Sequence, residues 1–225
     1  MNDMSDTQLQ PVVSAEDWKA ARAALLAEEK AVTRALDRLS ALRRQMPWQL
    51  VDKAYAFTTP EGPMGLPDLF AGRRQLIVYH HMLRPADPSP CPGCSMLADE
   101  LPNLAHINAR DTTLLMVSRA PLAEILAFRA RMGWPVPWVE TTDDFNTDFG
   151  MGTHGPGYSV FFRDGDRVFY TYTCTDRGTE TVVGTFGHLD ITPMGRQEKW
   201  QGAPAWVPQG DPYVWWRLHD EYGKA

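Results

Sequence analysis

From Ser14 to Gln45, apolar residues return at helical spacing. Trp18, Leu25, Val32, Leu36, Leu39 and Leu42 alternate with charged positions such as Glu28, Glu29, Lys30, Arg34 and Arg38, predicting one long helix over 14–45. Ser14 suits the N-cap, Asp17 supplies an acidic first turn, and Pro47 ends the run. At ~1.5 Å per residue such a helix spans roughly 48 Å, longer than a small domain needs. Two placements stay open: packing on a second subunit, or lying across its own domain.

The pattern then changes. "LVDKAYAFT" (50–58) reads as a strand, and "TPEGPMGLPDLF" as a Gly- and Pro-dense connection. "RQLIVYHH" is a continuous apolar run of the kind buried on both faces, predicting a strand over 75–81. "SMLADELPNLAHINAR" reads as a helix that Pro102 kinks or splits. A second apolar strand follows over 112–118. "PLAEILAFRARMG" is then a helix with Pro121 in its first turn and Gly133 as its stop. After an irregular stretch from Trp134 to Gly157, "YSVFFRD" and "RVFYTYT" form a hairpin turning at Asp164-Gly165. "GTETVVGTFGHLD" is the last predicted helix. The tail from Ile191 carries Trp200, Trp206, Trp215 and Trp216. It is too apolar to hang free and is expected to wrap the surface or a partner.

Strands alternating with helices, then a hairpin, predict an α/β fold with a central mixed sheet flanked by helices. The strands over 75–81 and 112–118 are joined through a helix and should run parallel. The expected organisation is an N-terminal helical extension (1–46), a central domain (47–190) and a C-terminal wrap (191–225).

Composition narrows the functional classes. The chain has 225 residues, 44% hydrophobic and 22% charged, enough to bury a core without staples. A net charge of −6 with no basic run argues against nucleic-acid binding. No run of about 18 apolar residues predicts a membrane span. The start, "MNDMSDTQLQPVV", lacks the basic and apolar regions of a signal peptide, so a cytoplasmic location is expected. Three cysteines are too few for a disulfide scaffold.

Two of those cysteines stand in "SPCPGCSML", after an apolar strand and at the start of a predicted helix. Unpaired N–H groups and the partial positive charge of a helix start favour a thiolate, the attacking species in disulfide exchange. Cys91 is therefore expected to be the more exposed and more acidic thiol, and Cys94 the shielded one that resolves a mixed disulfide. Pro92 fits the first turn, and Gly93 leaves room for a substrate backbone. CxxC beside a βαβ pattern is the sequence sign of a thioredoxin-like redox motif. Other readings stay open. Both thiols can be merely buried, or they can be half a metal site completed through the fold by Cys174 with His80, His81, His154 or His188. No Gly-rich phosphate loop is present, and no cofactor is expected.

The blocks "DLFAGRRQLIVYHHML", "CPGCSMLADELP", "VSRAPLAEILAFRARMGWPVPWVE", "DFNTDFG" and "LDITPMGRQEKW" together resemble the DUF899 family of thioredoxin-like, predicted dithiol-disulfide oxidoreductases, from about Ala24 to Trp200. The resemblance implies a thioredoxin-like fold and a redox pair at Cys91 and Cys94, acting on a protein or small-molecule thiol or disulfide. It implies no particular substrate. Where the family usually has an aromatic, this chain has His81. Thioredoxins carry a buried acid on the strand before CxxC; this strand has none, leaving His80 or His81 as substitutes. They also carry a cis-proline before the hairpin. Here that position falls on Gly157, with Pro156 one residue earlier.

His80 and His81 should point to opposite faces of their strand, so only one can face the motif. "DDFNTDFG" loosely suggests a carboxylate metal loop but reads better as a hydrogen-bonded structural segment.

Overall fold

The computed structural model describes residues 9–152 and 155–223. Helix α1 runs Ala15–Gln45, with the Ser14 hydroxyl accepting the Asp17 N–H at 3.1 Å, as a serine N-cap should. None of its residues is buried. Its last turn is tied to the body, where the Arg43 guanidinium lies over the Tyr172 ring.

The predicted strand over 50–58 is two strands on opposite edges of one sheet. β1 (Gln49–Val51) pairs with the end of the hairpin, whereas β2 (Ala56–Thr59) pairs with β3 (Gly62–Gly65) at the far edge. β4 (Gln75–His80) and β5 (Thr112–Ser118) lie side by side and parallel. Between them stand α2 (Pro92–Asp99) and α3 (Leu104–Asn108), so Pro102 splits the run rather than kinking it. α4 (Leu122–Met132) ends at Gly133, whose φ of 67° gives the left-handed turn that stops the helix.

The stretch read as irregular contains β6 (Trp138–Thr141), parallel to β5, and α5 (Asp143–Asp148). Prolines at 135 and 137 hide a strand only four residues long. β7 (Gly157–Asp164) and β8 (Arg167–Thr175) form the hairpin. The last predicted helix is a 3₁₀ segment, Asp176–Val182, followed by α6 (Gly184–Asp190). Among its described residues the tail beyond α6 forms no regular helix or strand, yet Val207 is buried within it and Leu218 packs into the core.

The eight strands lie in the order β1-β8-β7-β4-β5-β6-β2-β3. At the centre, β8-β7-β4-β5 with α2, α4 and α6 forms the thioredoxin-like arrangement: a parallel βαβ unit extended by an antiparallel hairpin. Alternation along β4 builds a core on each face. Leu76 and Val78 meet Phe70, Val117, Phe145 and Phe161 on one side. Tyr79 meets Cys94, Leu97, Phe128 and Trp138 on the other. Each of these large side chains contributes ~1.5–3 kcal/mol by leaving water.

Candidate active site

Cys91 is the N-cap of α2, with Pro92 in the first turn. A cap residue points its side chain at the free N–H groups of the first turn, and here the acceptor is sulfur. Cys91 Sγ accepts the backbone N–H of Cys94 at 3.3 Å. The thiols are free; Cys91 is partly exposed and Cys94 is buried. The two sulfurs titrate apart. A hydrogen bond from the Cys94 thiol, helped by the N–H groups of Cys94 and Gly93, brings Cys91 down to about 7 against its burial. Donating to Cys91, together with burial, pushes Cys94 well above the ordinary thiol range.

The residue of β4 that meets the inner thiol is Tyr79. Its hydroxyl donates to the Cys94 carbonyl at 3.4 Å, and its nearness favours the Cys94 thiolate against burial. Burial, then the neighbouring Cys94, raises the phenol far above its usual range, so it remains a donor. Neither histidine has the role expected in place of the missing acid. His80 points to the opposite face, where Nδ1 meets Asn146 Oδ1 at 2.8 Å and Nε2 meets Ser159 Oγ at 3.0 Å. Burial lowers it to about 4. His81 lies on the motif side but inside an aromatic box, 4.7 Å from the Trp138 ring and 5.9 Å from that of Trp134. Neither of its ring nitrogens has a hydrogen-bond partner among the described residues, and burial lowers it to about 3. The period-2 pattern separates the two histidines correctly but does not mark Tyr79, which fills an ordinary aromatic core position.

Beside the thiols lies a cavity of about 240 Å³, lined by both cysteines. Tyr79, Leu97, Pro156, Val183, Phe186 and Trp216 line it, with the exposed Asp176 and Arg177 at its edge. Pro156 thus faces the motif from the start of the hairpin. Gly157 does not line the cavity; it is the first residue of β7, opposite His80 and Thr175. No peptide bond among the described residues is cis.

The room expected at Gly93 for a substrate backbone is taken. The Trp216 indole lies so close over Gly93 that a Cβ there would stand only 2.2 Å from a ring carbon. A buried carboxylate holds this part of the tail: Glu198 accepts the indole N–H of Trp200 at 2.6 Å, that of Trp215 at 2.8 Å and the backbone N–H of Tyr213 at 2.9 Å. A second fastening runs from Asp190 through Arg196 to Glu180, which also accepts the Tyr213 hydroxyl at 3.1 Å. No periodic signal in the tail announces these contacts.

The other candidates resolve as structure. Asp148 of α5 accepts from Lys53 at 2.6 Å and from the Tyr55 hydroxyl at 2.7 Å. Cys174, on β8, packs against the core. No group of three or more His, Cys, Asp or Glu is gathered for a metal ion among the described residues; His154 lies outside them. No helix among the described residues is long and apolar enough to cross a membrane.

These features define an α/β protein of thioredoxin-like topology with a CxxC pair opening its first core helix. The chain belongs to the DUF899 family, described as bacterial proteins of unknown function, which it matches over residues 7–222. No curated protein matches it. Among solved structures it is similar to a Bacteroides thetaiotaomicron putative protein disulfide isomerase at 15% identity, covering 64% of this chain and 93% of that one with a TM-score of 0.42. A Xylella fastidiosa PrxQ mutant gives 16% identity, 62% and 90% coverage and a TM-score of 0.41. A secreted Mycobacterium tuberculosis disulfide oxidoreductase gives 18%, 60% and 95%, and 0.38. Likenesses at this level carry no argument about activity.

Proposed function

We propose that the protein is a thiol–disulfide oxidoreductase working through Cys91 and Cys94. The observation that carries this reading is the Cys91 sulfur in the capping position of α2, accepting the Cys94 N–H and partly open to solvent. The Cys91 thiolate attacks one sulfur of a substrate disulfide. The S–S bond breaks, and the departing thiolate takes a proton from solvent. Cys94 then loses its proton and attacks the Cys91 sulfur of the mixed disulfide, releasing the second substrate thiol. Two electrons pass to the substrate, and a Cys91–Cys94 disulfide remains for an external thiol to reduce.

The tail over Gly93 is what a non-catalytic interaction module would display. Two features favour exchange instead: Cys91 keeps part of its surface, and both cysteines line the cavity. The test is exchange with a thiol–disulfide redox buffer. A Cys91–Cys94 disulfide is expected to form reversibly, Cys91→Ser to abolish turnover, and Cys94→Ser to trap a mixed disulfide. Absence of the Cys91–Cys94 disulfide at every buffer ratio would rule the reading out.

A further inference from the structure

Resting on that reading, we infer that the substrate is a small, uncharged organic disulfide with apolar arms, not a protein disulfide. A polypeptide disulfide needs an open groove along the CxxC turn so that the chain on either side can lie down. Here the groove is filled: the Trp216 ring covers Gly93, and Tyr213 stacks on Trp216 with centroids 4.6 Å apart. Space beside the two cysteines remains in the cavity of about 240 Å³. An apolar cavity of about 150 Å³ accepts benzene, so this one holds a group moderately larger than a benzene ring. Its walls are chiefly apolar and aromatic. The one basic residue lining it, Arg177, pairs with Glu180 at 3.2 Å and stacks over Trp200 at 4.3 Å. An anionic peptide thiol would therefore meet no unpaired cation there. The exchange is the one balanced above: the small disulfide gains two electrons and two protons and leaves as two thiols.

The test compares diethyl disulfide with insulin, using the full reduced chain and a dithiol to recycle it. The small disulfide is expected to react faster by about tenfold or more in kcat/KM, a difference of ~1.4 kcal/mol. Trp216→Ala should narrow that ratio by accelerating insulin. In case that variant does not fold, wild-type Cys91 supplies an independent readout. Iodoacetamide should label it readily, and a polyethylene-glycol maleimide of several kilodaltons only slowly. Insulin reduced as fast as the small disulfide would overturn the size selection and leave the redox reading standing. Reduction of neither substrate, with no Cys91–Cys94 disulfide formed, would overturn both.

A different observation carries a second proposal: we propose that α1 pairs antiparallel with α1 of a second copy. Trp18, Leu25, Val32 and Leu39 recur every seven residues along it and are 59%, 55%, 60% and 42% exposed. They fill one position of a seven-residue repeat, and the companion position three residues on carries Ala21, Glu28, Ala35 and Leu42, so apart from Glu28 the seam is that of a two-helix coil. The ends are complementary for an antiparallel partner, with Glu16 and Asp17 in the first turn and Arg43 and Arg44 in the last. Sedimentation of the full chain should give a dimer, and the double variant Leu25→Glu, Val32→Glu a folded monomer. A monomeric wild type, a dimer that survives the double variant, or association only with added lipid vesicles would each overturn the proposal.

Discussion

The carboxylate of Glu198 accepts the indole N–H of Trp215 at 2.8 Å while buried out of water. That bond, with those from Trp200 and Tyr213, fixes the chain segment that lays Trp216 on the motif. Glu198→Ala would strand these donors at about 1–3 kcal/mol for each one left buried and unsatisfied. The variant is expected to lose several kcal/mol in a urea melt. Its Cys91 should become open to bulky alkylating reagents that react only slowly with the wild type. Stability lost with no change in Cys91 access would mean that Trp216 stays in place without its anchor.

Cys91 owes its low titration first to the hydrogen bond from the Cys94 thiol and then to backbone N–H groups. Cys94→Ala removes the first donor and leaves the second set. Alkylation of wild-type Cys91 should therefore rise with pH through a midpoint of about 7. In the variant the midpoint should move up toward the ordinary thiol value. An unmoved midpoint would assign the whole effect to the helix start.

Much of this architecture is legible because it is written locally. Ser14 caps α1 through its own hydroxyl, Pro102 cannot continue a helix, and Asp164-Gly165 turns a hairpin without help from elsewhere. CPGC is legible for the same reason, since a cap is a property of consecutive residues. What stays hidden depends on distant partners. Nothing local separates β1 from β2, which look like one strand but join opposite edges of the sheet. β6 is four residues among prolines and exists because β5 and β2 hold it on both sides. Tyr79 and Trp216 read as ordinary core aromatics; only the fold brings one to Cys94 and the other to Gly93.

The Tyr79 hydroxyl donates to the Cys94 carbonyl and stands where it favours the Cys94 thiolate, an interaction that strengthens when Cys94 loses its proton. Tyr79→Phe keeps the ring and removes the donor. Resolution of the mixed disulfide should slow about two- to tenfold, the worth of one hydrogen bond. The first attack, made by Cys91, should be nearly unchanged. An aromatic disulfide that releases a coloured thiolate at each step separates the two phases. Equal slowing of both would show that the phenol only supports packing.

His80 and His81 are held neutral by burial, lowered from 6.5 to about 4 and about 3. Each ring binds a proton in the unfolded chain at a pH where the folded chain refuses it. Stability is therefore full above about pH 6.5 and falls as the pH drops toward the folded values, by about 1.4 kcal/mol per pH unit for each ring. Urea melts between pH 7 and 4.5 should show this slope, steepest below pH 6. His81→Phe is the informative variant, because His81 is aromatic-walled and leaves both ring nitrogens unpaired. It should raise stability at pH 7 by relieving an unsatisfied buried ring, and it should remove one ring's share of the acid slope. His80→Phe should do the opposite at pH 7, since it would break the bonds to Asn146 and Ser159 and leave those groups buried without partners. An acid slope unchanged in His81→Phe would mean that the ring is already protonated in the folded protein.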